Sequence, residues 1–154
     1  MTQLIRTFLW VSNAEEAANF WVSILPNSRV DTVNQLTPDG SVTVAEFTLG
    51  GQQFLAMNAG EAPAASFQVS HLIRAEDQAE VDRLWDALTA DGGKPDQCGW
   101  LTDKYGIAWQ VIPDEMYTLM SDPDPGRAQR ASAAMMQMSK IDLAAMRAAM
   151  DSES

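Results

Sequence analysis

The chain repeats itself at a fixed offset. Asn13-x-x-Glu16 is answered by Asp77-x-x-Glu80, Trp21 by Trp85 and Ile24 by Leu88, with Glu16 and Glu80, like the other pairs, 64 positions apart. No gap is needed to bring the copies into line. A repeat of this kind constrains the architecture more than any single motif, because two copies of one supersecondary unit share one topology.

The first copy begins with an apolar, β-prone run at residues 4–11, followed by the Asn13/Glu16 capping box that opens a helix. Ala17, Phe20, Trp21, Ile24 and Leu25 form the stripe that this helix is expected to bury, and Pro26-Asn27 ends it. Three strand-like segments follow at about residues 29–36, 41–49 and 52–58, divided by Pro38-Asp39-Gly40 and Gly50-Gly51 turns. The order is βαβββ. In the second copy, residues 67–75 read as a strand, Asp77 and Glu80 as a cap, and Val81, Leu84, Trp85 and Leu88 as a buried stripe ending at Gly92. A short strand through Cys98-Gly99-Trp100-Leu101 and another at 106–112 complete it, one strand fewer than in the first copy. The remainder differs in kind. Asp124-Pro125 starts a helix rich in Ala and Met, and Asp142 caps a shorter one ending near Met150. Seven of the nine Met residues follow position 115, which suits adaptable apolar packing of this tail on the domain or on a second subunit.

Composition narrows function by exclusion. A formal net charge of −11 over 154 residues repels phosphate backbones and anionic lipid, so neither nucleic acid nor a membrane surface is an expected partner. The sequence predicts neither export nor membrane insertion, since no apolar run is long enough for either. One Cys and one His exclude an internal disulfide and a zinc cluster and point to the cytoplasm.

Two stretches carry a recognisable signature: TFLWVSNAEEAANFWVSILPNS at residues 7–28 and CGWLTDKYGIAWQVIP at 98–113. Together with EVDRLWDAL at 80–88 and SDPDP from Ser121, they resemble the PhnB-like family of the vicinal oxygen chelate superfamily, which includes the glyoxalases and bleomycin-resistance proteins. The resemblance implies an α+β fold of paired βαβββ modules forming a cupped mixed sheet, with helices outside, and a homodimer. Residues 1–120 would form the single vicinal oxygen chelate domain, with modules at 1–60 and 66–115, and residues 121–154 a helical tail. Members carry the label 3-demethylubiquinone-9 3-methyltransferase-like. A methyltransferase of the common type needs a Gly-rich turn between strand and helix, and the chain has none: Gly50-Gly51 lies between strands and Gly92-Gly93 follows a helix.

In metal-dependent relatives, the ion is held on the first and last strands of each module. By position, the resemblance places Arg6, approximately Ala56, Ser70 and Gln110 there. Only Gln110, and Ser70 weakly, could donate to a divalent ion, while Arg6 brings a fixed positive charge. The expectation is therefore no metal and no cofactor. Strand alternation from Arg6 puts Phe8 and Trp10 on the cup face and, from Ser70, turns His71 away from it. Trp109 points away likewise. The candidate ligand-binding set is Arg6, Phe8, Trp10, Asn58, Ser70, Trp100 and Gln110, suited to a small organic ligand that is anionic or aromatic. Cys98 is the weak catalytic candidate, against its reading as a small core residue. Three functions remain open. One is metal-independent small-molecule binding. The second is an enzyme of the superfamily: a metal-assisted lyase or dioxygenase, an activity using Arg6 and Cys98 without metal, or the inherited 3-demethylubiquinone 3-methyltransferase-like label. The third is a non-catalytic assembly protein.

Overall fold

The computed structural model describes residues 3–152 and divides into two compact units, Met1–Ala64 and Ala65–Ser154. In the first, β1 (Thr7–Trp10) leads to α1 (Ala14–Ile24), then to β2 (Arg29–Gln35), β3 (Val42–Leu49) and β4 (Gln52–Ala59). The sheet order is β1-β4-β3-β2, with β1 parallel to β4 and the other pairs antiparallel. Asn13 caps α1 as its sequence position requires. Its side chain accepts from the Glu16 amide and donates to the Glu16 carboxylate. The Gly50-Gly51 hairpin has φ of +55° and +87°, a backbone that side chains disfavour and that matches the twist of β3 and β4. Trp21 and Phe47 are buried with ring centroids 5.5 Å apart, and Phe47 stacks on Phe54 at 5.7 Å.

The second unit repeats this plan. β5 (His71–Ala75), α2 (Gln78–Thr89), β6 (Lys94–Pro95), β7 (Trp100–Thr102) and β8 (Ala108–Pro113) give the sheet order β5-β8-β7-β6. Its core joins Val81, Leu84, Trp85 and Leu88 of α2 with Leu101, Trp109 and Val111 of the sheet. The second copy is therefore not one strand short. β6 has two residues, one of them proline, too few to show alternation in the sequence.

Three of the boundaries that differ from the sequence reading bear on the site. β1 begins at Thr7 rather than Leu4, because its partner register starts at Phe54 and the exposed Leu4 and Ile5 have no strand beside them. β5 likewise starts at His71, leaving Phe67 and Val69 exposed. Cys98 and Gly99 are not strand but turn, with φ of +58° and +82°.

The tail folds onto the second unit. α3 (Asp114–Met120), which sequence periodicity missed, follows β8 directly, and α4 (Pro125–Met135) and α5 (Leu143–Asp151) pack beside it. Met116, Ala131, Ile141, Leu143, Met146 and Met150 form one buried cluster with Ile112 of β8. Gln78 of α2 fastens it with both ends of its amide, Nε2 donating to the Ile141 carbonyl and Oε1 accepting from the Leu143 amide, each at 2.9 Å. No helix among the described residues is long and apolar enough to cross a membrane.

Candidate functional site

In the first unit, one row across the sheet runs Phe8, Leu55, Glu46 and the next runs Trp10, Met57, Val44. Residues in register share a face, so Phe8 and Trp10 stand together, and the intervening Leu9, Ala56 and Ala45 are buried on the other side. Phe8 is 51% and Trp10 41% exposed. Arg6 joins them, its Nη1 donating to the Glu46 carboxylate at 3.1 Å.

Three sequence-based expectations need correction here. Ala56 lies in register with the buried Leu9 and Ala45, so it faces the opposite side from Phe8 and has no place beside Arg6. Asn58 follows the same alternation. Its Oδ1 accepts from the Ala14 amide at 2.9 Å and its Nδ2 donates to the Ser41 carbonyl at 3.2 Å, so it ties α1 and a turn to β4 instead of facing a ligand. The charge of Arg6 is also balanced locally. Sequence alternation puts Glu46 in phase with Val42 and Val44 along β3 but does not pair it with Arg6.

In the second unit, Leu72, Gln110 and Trp100 lie in one row, and Gln110 Nε2 donates to Ser70 Oγ at 3.0 Å. Ser70, Trp100 and Gln110 are thus brought together on one face, and Phe67 meets Trp100 edge to face at 5.9 Å. His71 pairs with Trp109 and Leu101 on the opposite face, with its ring 5.4 Å from that of Trp109. Burial holds the His71 imidazole below its ordinary value of 6.5.

That shift has a sign. The unfolded chain takes a proton near pH 6.5 and the folded chain resists it, so His71 leaves stability intact above that pH. Stability falls as the pH drops below it and levels off once the native imidazole is also protonated. Melting curves between about pH 7 and pH 5 are expected to show the fall. It should be smaller in His71→Phe, and an identical pH dependence in that variant would contradict the assignment.

The missed residue of greatest structural weight is Asp103, 2% exposed. Its Oδ1 accepts from the amides of Tyr105 and Ile107 at 2.9 and 3.1 Å, and its Oδ2 from Trp109 Nε1 at 2.8 Å. One carboxylate thereby shapes the β7–β8 turn and orients the core indole. Cys98 sits partly buried in the turn before β7, beside Phe67, Asp96, Gln97 and Trp100, where they line an open cleft of about 250 Å³.

A family model described as 3-demethylubiquinone-9 3-methyltransferase matches residues 2–112. The chain belongs to that PhnB-like family. A PhnB protein from Bacillus cereus that carries the same methyltransferase name is 29% identical over 72% of this chain and 99% of its own, with a TM-score of 0.62. The fold extends to a Pseudomonas aeruginosa protein, 20% identical over 73% of this chain and 98% of that one, with a TM-score of 0.56. It extends also to the fosfomycin resistance protein FosX of Listeria monocytogenes, 13% identical over 73% of this chain and 93% of that one, with a TM-score of 0.55. No curated protein matches the chain. The PhnB-like chain is thus an α+β protein of the glyoxalase/bleomycin resistance fold, and each of its two mixed sheets has four strands.

Neither group suggested by this kinship fits the residues present. One FosX structure is complexed with Mn(II), but here the positions carried over for a metal hold Arg6, Ala56, Ser70 and Gln110. A guanidinium repels a cation, Ala56 faces the buried side of the sheet, and Ser70 Oγ already accepts from Gln110. Among the described residues, no three His, Cys, Asp or Glu side chains are grouped to hold a metal ion. The methyltransferase name fares no better. The turns from β1 to α1 and from β5 to α2 contain no glycine, so neither opens a backbone cradle for a nucleotide-like methyl donor.

Proposed function

We propose that this PhnB-like protein binds a small organic molecule without a metal on the first-module face that carries Arg6, Phe8 and Trp10, and that Ser70, Trp100 and Gln110 form a candidate binding face of the second module. The observation that carries the reading is the pair of exposed aromatics, Phe8 and Trp10, on the face that also bears Arg6. Large rings left half in water beside an oriented guanidinium suit a flat apolar body with an oxygen acceptor. Glu46 takes one donor of Arg6 and offsets its charge. This favours a carbonyl-bearing ligand over a strongly anionic one, since a second full negative charge would be repelled by the carboxylate.

The donor sets described above support metal independence. The test begins with solvent extraction of protein purified without dialysis. The molecule recovered is then titrated back by calorimetry into native protein and Arg6→Ala. Loss of a charged hydrogen bond is expected to weaken binding about 10- to 100-fold. Equal affinity in the variant would remove Arg6 from the site.

A further inference from the structure

We propose that the cleft bounded by Phe67, Asp96, Gln97, Cys98 and Trp100 is a separate binding site for a small aromatic ammonium ion. The site shares Trp100 with the sheet face but rests on different observations. Its failure would leave the Arg6 test untouched.

The floor of the cleft is fixed by bonds that do not depend on a ligand. Cys98 and Gly99 turn the chain through two successive positive φ values. Their amides donate to the carbonyls of Met138 and Ser139, both at 2.8 Å, and Ser139 Oγ donates back to the Asp96 carbonyl at 2.5 Å. The segment between α4 and α5 therefore fixes the floor in place, so a ligand would not have to order it.

The walls indicate the ligand class. The Phe67 and Trp100 rings are inclined by 67°, so they present π surfaces in two directions instead of one stacked block. Asp96 supplies a carboxylate whose Oδ1 accepts from the Gln97 amide at 2.7 Å, and among the described residues no Lys or Arg neutralises it. A carboxylate beside two aromatic rings favours a cation. The net charge of −11 raises the local concentration of such ions. A volume near 250 Å³ falls below the roughly 300–1,000 Å³ of drug-sized sites, so the ligand is a single ring with its ammonium head.

The probe is benzyltrimethylammonium, titrated into ¹⁵N-labelled full-length protein and followed by amide and indole signals. Saturable shifts are expected at Gln97, Cys98, Gly99 and the Trp100 indole. Asp96→Asn is expected to raise the Kd about five-fold or more, as is Phe67→Leu, with the remaining signals showing both variants folded. The neutral benzyl alcohol should bind more weakly than the cation. An absence of shifts at these four positions would overturn the proposal, as would an unchanged Kd in Asp96→Asn or equal binding of benzyl alcohol.

Discussion

Asp103→Ala is expected to lower the unfolding temperature by more than about 10 °C. The carboxylate is buried and serves the Tyr105 and Ile107 amides and the Trp109 indole at once, so truncation leaves three donors without their acceptor. Each buried donor left unsatisfied costs about 1–3 kcal/mol. In a unit of this size each kcal/mol moves the midpoint by several degrees. Asp103→Asn keeps one acceptor oxygen and should lose less. Thermal melts of the two variants check the ranking, and an alanine variant as stable as the native protein would refute it.

Ending the chain after Asp122 is expected to have an effect at least as large. The deletion removes Ala131, Ile141, Leu143, Met146 and Met150 from the cluster around Ile112 and Met116. It also removes the Ile141 carbonyl and the Leu143 amide from the Gln78 side chain, whose Nε2 keeps only the Asp82 carboxylate. Burial of a large apolar side chain is worth about 1.5–3 kcal/mol, partly offset by the entropy of ordering the helices. The truncated protein should melt more than about 10 °C lower and bind a hydrophobic dye at Ile112 and Met116. An unchanged melting curve would show that the tail contributes nothing to the second unit.

How far the sequence led depended on how each feature was encoded. The two modules were legible because Asn13, Asp77, Trp21 and Trp85 recur at one offset, and caps and buried indoles are strong local signals. β6 was not, since two residues carry no period. α3 begins straight after Pro113 with no side-chain cap to announce it. At the candidate site, alternation correctly set Phe8 and Trp10 against Leu9, and Ser70 and Gln110 against His71. It was not carried through at Ala56 and Asn58, which the same rule turns toward the buried side. Pair partners such as Glu46 for Arg6 depend on strand register between distant segments, which no local pattern states. The Cys98–Gly99 turn was hidden for a related reason. Its positive φ values are sustained by Met138 and Ser139, some forty residues away.

The most direct test of metal-independent binding is a native mass spectrum of protein purified from cells, recorded before and after treatment with a strong chelator. The account predicts an added mass of a small organic molecule that survives chelation, with no stoichiometric metal. An organic adduct that leaves together with a divalent ion, or a bound ion with no organic molecule, would contradict it.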